Sequence, residues 1–462
     1  MGKPAASRAE RTTSFELSDF PLPTGREEEW RFAPRAKFAP LFEPAHDGDA
    51  VVMDVSLAPE VRAEVVKSND PRLGQVGKPA DRAAAAAWQA ARQAVIVTIP
   101  AGVEPSEVTR LTLIGQGKPV VEPQASVVVP PTRSGAAPVE TTGHTSGAAP
   151  VETTVAVGIN QVTPPGPAAV QLLLVAEPAS KGVVVVEHIG SALVNETVEI
   201  RVGEHAELTV VSLQYWAPGS VHASAHRAEV GRDAVLRHVV ATFGGDAVRV
   251  TPDASFTAPG GRVELLGLYF ADSGQYQEHR MFVDHGQPNC TSRVTYKGAL
   301  QGRGARAAWV GDVLIQAEAT GTDTYELNRN LLLTEGARAD SVPNLEIETG
   351  EIVGAGHASA TGRFDDAQLF YLMSRGIPSA EARRLVVHGF FAELISEIGV
   401  PEVEAQLLAT LEGELARADA AIVLESETAR SKGSASSAEL PGSNPHAIST
   451  EPNEQYGESC QP

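Results

Sequence analysis

Cysteine is almost absent from this 462-residue chain, which contains only Cys290 and Cys460. Two cysteines so far apart provide no disulfide framework, no CxxC pair and no internal set of thiolates for a zinc or iron–sulfur site. Any metal chemistry therefore needs ligands of other types, or ligands from another chain.

Motifs for nucleotide and hydrolytic chemistry are also missing. The sequence has no Gly-x-x-x-x-Gly-Lys-Ser/Thr loop, no Gly-x-Ser-x-Gly elbow, no His-Glu-x-x-His pair and no complete dinucleotide fingerprint. We therefore do not expect this chain to hydrolyse ATP itself.

Long apolar runs and an excess of positive charge are absent too. The best apolar stretch, 168–176 (AAVQLLLVA), is far shorter than the ~18 residues a spanning helix needs, and the first twenty residues lack the apolar segment of a secretory signal. A formal charge of −21 repels phosphate backbones and anionic membranes. We expect a soluble, cytoplasmic protein that binds neither nucleic acid nor membranes.

Two helices are predicted before residue 95. Thr24 followed by Glu27 is a capping-box pattern, so a short helix should begin there. The segment 81–94 (DRAAAAAWQAARQA) is rich in Ala and lacks Gly and Pro, which predicts a second helix that closes an N-terminal region.

From about Val95 the pattern changes to short β segments separated by Gly, Pro, Asn or Asp, over roughly 260 residues. No convincing amphipathic helix interrupts them, which argues against a doubly wound α/β fold and leaves a sandwich, a barrel or a β-solenoid.

A weak Gly-x-x-Ala repeat favours the solenoid. It begins at Gly203, Gly231, Gly304 and Gly336, and each copy opens a β-like run. Intervals of 28 and 32 residues suit turns of a coil of strands, whereas the interval of 73 breaks the period. Chance is the alternative, because Gly and Ala are both abundant here.

Two segments are predicted to stay outside the core. The octapeptide GAAPVETT occupies 135–142 and again 147–154, inside a low-complexity insertion (131–156) that we expect to be a mobile loop with His144 as a bystander. The tail, 426–462, is rich in Ser, Gly, Pro and Glu and is expected to be disordered.

The period becomes helical after His357. We predict a helix over 365–375 that ends at Gly376, a second from Ser379 and a third from about Pro401. Four apolar residues share one face of the second helix: Val387, Phe391, Leu394 and Ile398. This face packs against the body of the chain or docks a partner.

Two groups of potential metal ligands precede these helices. His222 and His226 are four residues apart but lie in a β-rich region without an accompanying acidic base, which favours structural or surface histidines. The segment 276–290 gathers ligand types, but on a strand alternate side chains point to opposite faces, so a polar ladder is the favoured interpretation. Its members are Glu278, His279, Asp284, His285 and Cys290.

His357 is the remaining candidate. Small residues flank it in the sequence GAGHASATG, at the junction between the last strands and the first helix. Neutral imidazole is a good ligand for iron, and an exposed histidine can complete a site with thiolates from a partner. A hydrogen-bonded structural histidine is the alternative.

Three blocks of sequence resemble the SufB/SufD family of iron–sulfur cluster assembly proteins. The strongest lies within 326–399 and contains ELNRNLLLTEGARADSVPNLEI and GHASATGRFDDAQLFYLMSRGIPSAEARRLVVHGFFAELISEIG. The others are PNCTSRVTYKGA at 288–299 and PLPTGREEEW at 21–30, which looks like the SufD branch more than the SufB branch. The resemblance spans most of residues 15 to 400.

The resemblance implies a mainly β protein: a right-handed parallel β-helix, or solenoid, flanked by helical regions. We therefore divide the chain into an N-terminal, partly helical region (1–94), a β-helix core (95–360), a C-terminal helical domain (361–425) and the tail.

The resemblance also implies a function. The chain would be a non-catalytic scaffold subunit that pairs with SufB through the β-helix. Its C-terminal helices, with Val387, Phe391, Leu394 and Ile398, would dock SufC, the ATPase that supplies ATP hydrolysis. Reduced flavin is associated with the family's complex, and since this sequence has no flavin fingerprint, flavin would belong to the complex as a whole.

The family's interface histidine corresponds to His357, which would hold iron or a transient, nascent iron–sulfur cluster together with a SufB thiolate. Ala355 stands where some similar sequences carry Cys, so a cluster bound by this chain alone is not expected. Cys290 is expected to be a buried, unreactive thiol. Two alternatives stay open: a self-paired homodimer acting as a storage or assembly intermediate, and a β-helix enzyme that acts on polysaccharide with paired carboxylates.

Overall fold

A computed structural model describes residues 11–120, 161–163, 166–364 and 366–416. The duplicated octapeptide, His144, Cys460 and the tail predicted from residue 426 lie outside these ranges. The chain divides into two units, 1–411 and 412–462, and the solenoid described below belongs to the first.

The described residues form a β-solenoid of about seven turns. Each full turn contributes one strand to each of two facing nine-stranded sheets, and within the coil neighbouring strands are parallel. The strands are β1 (Val51–Ser56), β2 (Arg62–Lys67), β3 (Gln93–Ile99), β4 (Thr109–Gln116), β5 (Lys118–Val120), β6 (Gln161–Thr163), β7 (Ala168–Ala176), β8 (Lys181–Ser191), β9 (Leu193–Val202), β10 (Glu207–Trp216), β11 (Val221–Val230), β12 (Val235–Gly244), β13 (Ala247–Phe256), β14 (Arg262–Ala271), β15 (Tyr276–His285), β16 (Thr291–Leu300), β17 (Arg306–Ile315), β18 (Asp323–Leu332), β19 (Arg338–Ile347) and β20 (Gly354–Arg363).

The first sheet, called sheet A, has the order β1-β4-β8-β10-β12-β14-β16-β18-β20, and sheet B has the order β2-β3-β7-β9-β11-β13-β15-β17-β19. The short strands β5 and β6 form a separate antiparallel pair. The prediction of a parallel β-solenoid with helical regions on both sides is confirmed.

The Gly-x-x-Ala repeat marks the turns of this coil. Gly203 and Gly231 precede β10 and β12, which are neighbours in sheet A, so their spacing of 28 residues is one turn. Gly304 and Gly336 precede β17 and β19 in sheet B in the same way. The interval of 73 residues breaks the period because it runs from a turn before sheet A to a turn before sheet B.

The interior of the coil is filled by side chains of complementary size. Gly298 and Gly267 leave the space occupied by the rings of Tyr269 and Tyr296, and a Cβ atom at either glycine would overlap the facing ring. Both tyrosines are fully buried, as is Trp309. Such interlocking gives a solenoid interior the close packing of other protein cores.

The N-terminal region covers the outer face of sheet B. The capping box at Thr24 is only half formed: the backbone N–H and hydroxyl of Thr24 donate to the Glu27 carboxylate (2.9 and 2.7 Å). The short 3₁₀ helix, Glu28–Trp30, begins after Glu27 rather than at Thr24 as predicted. Helix α1 is Arg35–Phe38, and α2 (Arg82–Ala90) begins after Asp81, whose side chain accepts from the Ala84 N–H. Helix α2 ends before the predicted residue 94, because β3 starts at Gln93.

The C-terminal helices follow β20 directly. They are α3 (Asp366–Ser374), α4 (Ser379–Glu397) and α5 (401–416), close to the predicted positions. Helix α4 packs on the outer face of sheet A, where the Lys297 Nζ donates to the Phe390 carbonyl (3.1 Å) and to Glu393 (2.8 Å).

Candidate functional site at the open end of the solenoid

The two ends of the coil differ. At the N-terminal end the short strands β1 and β2, six residues each, add to the sheets in the antiparallel direction. At the other end the last strands, β19 and β20, are ten residues long, and no strand in the described ranges pairs with their outer edges. We call this end, formed by β19 and β20, the open end.

His357 lies at the open end. It is on β20 directly beside Glu326 of β18, at the same register position. Along β18 the buried residues Thr324, Glu326 and Asn328 alternate with more exposed ones, so Glu326 faces the interior of the coil. Since parallel strands in register direct paired side chains to the same face, His357 also lies on the inward-facing side, yet it is exposed because no further turn within the described residues covers it.

Glu326 is an unusual residue for this position. Both oxygens of its buried carboxyl group lack a hydrogen-bond partner among the described residues. Burial, with a smaller contribution from Asp312, raises the pKa of Glu326 to about 8. The carboxyl group is therefore mainly protonated at neutral pH, and a cation placed beside it would favour its ionised, metal-binding form.

A network of hydrogen bonds joins β18 to the two strands of the open end. The Asn330 amide donates to Asn328 (2.8 Å), to Ser341 (3.1 Å) and to Thr361 (3.3 Å). The Tyr269 hydroxyl donates to Asn330 in turn. Because these groups link β18 to β19 and β20, they fix the positions of the last strands.

The structure corrects the prediction for the docking face of the C-terminal helices. The four residues named for that face are buried within the chain, with at most 1% of each side chain exposed, so they are not a surface for a partner. Their face is covered by other residues of the chain. The four residues are Val387, Phe391, Leu394 and Ile398.

Other apolar residues of these helices are exposed. Phe370, Tyr371 and Met373 of α3 have 74%, 58% and 46% of their surface exposed, and Leu385 of α4 has 50%. Helices α3 and α4 pack against each other. We call these four residues the exposed helical residues.

The segment 276–290 does not form a site. His279 and His285 are buried inside the coil, whereas Glu278 is buried near Arg249 and Arg280 under the N-terminal region. Asp284 accepts from Gln316 (2.6 Å). The side chains diverge as the alternation of a strand predicts.

Cys290 is buried, and burial raises the pKa of its thiol, as expected for an unreactive cysteine.

His222 and His226 are both buried in the interior of the coil, on β11. His222 Nε2 lies 3.2 Å from Glu196 Oε2, and His188 Nε2 lies 3.2 Å from both carboxylate oxygens of Glu196. Burial lowers the pKa of His222 to about 4, so this imidazole is neutral at pH 7. Within the described ranges, His188, Glu196 and His222 are the one group of three side chains close enough to hold a metal ion.

The sequence does not show that Glu196 and His188 lie close to His222. Its pattern predicts strands for the segments KGVVVVEHIGS, which contains His188, and LVNETVEIRV, which contains Glu196. Their meeting depends on the turn between β8 and β9 and on the pairing of β9 with β11.

The comparisons identify the class of protein to which this arrangement belongs. A family model described as "SUF system FeS cluster assembly, SufBD core domain" matches residues 161–390, which lie between the start of β6 and helix α4. Over 422 residues the chain is 47% identical to the iron–sulfur cluster assembly SufBD family protein Rv1462 of Mycobacterium tuberculosis, a match that covers 89% of this chain and 94% of that protein.

The chain is 46% identical to the iron–sulfur cluster assembly SufBD family protein ML0594 of Mycobacterium leprae, a match that covers 89% of this chain and 95% of that protein. The iron–sulfur cluster assembly protein SufD of Escherichia coli is 27% identical over 212 residues, which are 46% of this chain and 50% of that protein. The chain belongs to the iron–sulfur cluster assembly SufBD family. None of its described helices is both long and apolar enough to cross a membrane.

Proposed function

We propose that this chain is a SufD-like scaffold subunit that helps to assemble iron–sulfur clusters in a complex with SufB and SufC. Family membership supports the process, and the SufD-like N-terminal block and the similarity to SufD support the branch. In this proposal the chain is not itself an enzyme, and SufC supplies ATP hydrolysis. Any reduced flavin would belong to the whole complex.

The observation that carries the proposal is the open end. Two strands of ten residues have an outer edge that no strand of the described part of the chain pairs with, and such edges readily pair with strands of another chain. The exposed apolar residues Ile347 and Val353, with 45% and 76% of their surface exposed, lie at or beside these strands. A SufB solenoid that abuts this end would continue both sheets and cover the inward-facing side of β20.

His357 is the residue we propose as a ligand at that interface. It offers an exposed imidazole, and this chain's own described cysteine, Cys290, is buried elsewhere. The iron or nascent cluster is cargo, held between the imidazole and a thiolate from SufB. Glu326 lies beside His357 and is placed to provide a carboxylate once the nearby positive charge ionises it.

For SufC we propose a docking surface on α3 and α4, centred on the exposed helical residues Phe370, Tyr371, Met373 and Leu385. These residues replace the buried face named from the sequence. Exposed aromatic and Met side chains are enriched at protein interfaces, which supports this assignment.

The test compares variants within the complex. The chain is co-expressed anaerobically with SufB and SufC of the same organism, and iron and acid-labile sulfide are measured per complex. His357→Ala should reduce both by at least about tenfold, by analogy with the loss of a metal-supporting group. Ser359→Ala, an exposed change two residues further along the same face of β20, should leave them near the wild-type value.

Equal iron and sulfide contents in the two variants would contradict the proposed role of His357. Loss of the complex itself in His357→Ala would instead mean that the residue supports the interface rather than the cargo. The mass of each complex distinguishes these two results.

A further inference from the structure

We propose that His188, Glu196 and His222 form a buried mononuclear site for a divalent first-row transition metal, Fe(II) or Zn(II), inside the solenoid. This site is separate from the open end, since it lies on β8, β9 and β11, whereas His357 is on β20. The inference does not depend on the proposed function.

The ligand set is the first argument. Two imidazoles and one carboxylate are the protein ligands of many non-haem Fe(II) centres and of catalytic zinc sites, in which further positions are left for water or a small ligand. The three ligand atoms here lie within 4.8 Å of one another. Two ligands of one ion at about 2.0–2.2 Å lie at most about 4 Å apart, so an ion requires side-chain shifts of an ångström or less.

The carboxylate is already close to both rings. Glu196 lies 3.2 Å from the Nε2 atoms of His188 and of His222. Two donors bound to one ion at angles of 90–110° are separated by roughly 2.9–3.4 Å, given the usual bond lengths. Both separations between Glu196 and a histidine therefore match shared coordination, and only the distance between the two imidazoles must shorten.

A hydrogen bond to the backbone orients His188. His188 Nδ1 lies 2.9 Å from the Leu213 carbonyl, which can only accept, so Nδ1 carries the proton that is donated to it. A ligand histidine in a metal site commonly makes such a bond with its other nitrogen.

Glu196 is held by a second set of bonds. The Ser224 hydroxyl donates to Glu196 Oε2 (2.6 Å), and His226 Nε2 lies 2.8 Å from that hydroxyl. His226 Nδ1 lies 2.7 Å from His238 Nε2. With protons on Nε2 of both His226 and His238, His238 donates to His226, His226 donates to Ser224, and Ser224 donates to the Glu196 carboxylate. Such a series of hydrogen bonds is expected around the ligands of a metal site.

Burial distinguishes this group from a surface cluster. His188, Glu196 and His222 are at most 1% exposed. A metal ion there exchanges with solvent only when the coil opens, so the ion should be acquired during folding and should resist chelators afterwards. In its absence the group is a buried Glu–His ion pair, and metal binding must displace the proton that the pair shares.

The experiment uses the full chain. Purified wild-type protein is analysed for metals by mass spectrometry after growth in iron-rich and in zinc-rich medium, which separates the two candidate ions. We expect about one equivalent of metal per chain, the single ion of a three-ligand site. Glu196→Gln should lose it. His285→Gln changes a buried interior histidine outside the group and should retain it.

A second measurement avoids the variants, since Glu196→Gln could fail to fold. Wild-type protein is unfolded with a chelator present, then refolded with Co(II) as the probe. The expected result is visible d–d absorption of bound Co(II) together with quenching of the fluorescence of Trp216. The Trp216 ring lies 5.5 Å from the rings of His188 and His222. Refolded protein without Co(II) absorption, or full metal retention in folded Glu196→Gln, would overturn the proposal.

Discussion

Glu326 and His357 occupy the same register position on neighbouring parallel strands, the first buried and the second exposed at the open end of the coil. In an inner turn of the solenoid both side chains would be covered by the next strand. Among the described residues the coil ends one strand beyond Glu326, and the Glu326 carboxyl group, which has no hydrogen-bond partner there, lies directly beside an accessible imidazole.

This arrangement predicts a pH dependence of stability. The pKa of Glu326 is raised to about 8, so between about pH 4.5 and 8 the unfolded chain releases a proton that the folded chain retains. Stability is then lost as the pH rises through this window, at up to about 1.4 kcal/mol per pH unit. Glu326→Gln should remove the contribution of Glu326 to the pH dependence. It should also raise the free energy of unfolding at pH 7 by about 3 kcal/mol.

Urea unfolding at pH 5 and pH 7.5 measures this effect. Glu348→Gln, a change at an exposed carboxyl group beyond β19, is the matched control and should leave the wild-type slope intact. The same pH slope in the wild type and in Glu326→Gln would show that Glu326 is not protonated in the folded chain.

The packing of the solenoid interior predicts opposite effects for two glycine substitutions. Gly298→Ala forces a methyl group into the ring of buried Tyr269 and should lower the free energy of unfolding by about 1–3 kcal/mol or more. Gly389→Ala on the exposed side of α4 meets no neighbouring atom and should raise it by up to about 1 kcal/mol. Thermal unfolding of the two variants provides the comparison, and a stable Gly298→Ala would contradict this packing.

The outer helices predict a difference between buried and exposed apolar residues. Phe370→Asp with Leu385→Asp should abolish co-purification with SufC and leave the chain folded, because both residues are exposed. Phe391→Ala should instead lower stability by about 3–5 kcal/mol, because it removes a fully buried ring.

Pull-down with tagged SufC and circular dichroism separate these effects. Leu22→Asp, at an apolar residue with 58% of its surface exposed in the N-terminal region, controls for the added charge. Undiminished SufC binding by the Phe370/Leu385 variant would place the docking surface elsewhere.

The sequence was a good guide wherever local pattern decides structure. The Gly-x-x-Ala turns, the start of the Ala-rich helix and the helix end at Gly376 all lie close to the predicted positions, because each depends on residues adjacent in the chain. The fate of Phe391 was not predictable in this way. Amphipathic spacing shows that a helix face must be buried, but it does not show whether sheet A or a partner covers it.

The group of His188, Glu196 and His222 illustrates the same limit. His188 is on sheet A and the other two on sheet B, so their contact follows from the closure of the coil rather than from their spacing. Glu326 opens the segment ELNRNLLL, but its burial without a hydrogen-bond partner among the described residues depends on the position of β20, which the sequence does not show.

The open end predicts an effect of charge on assembly. Ile347→Asp with Val353→Asp places two carboxylates beside the unpaired strands and should weaken association with SufB by at least about tenfold, since desolvating unpaired charge at an interface is costly. Val65→Asp, at a residue of β2 with 66% exposure near the other end, should have little effect. Analytical ultracentrifugation gives the affinities, and equal weakening by both changes would argue against the open end as the interface.

We propose that this chain is one subunit of a three-protein assembly. The decisive experiment is size-exclusion chromatography with light scattering on the chain co-expressed anaerobically with SufB and SufC of the same organism. We expect co-elution at a mass that requires all three proteins. Elution of the chain by itself beside soluble SufB and SufC, as a monomer or as a homodimer, would contradict it.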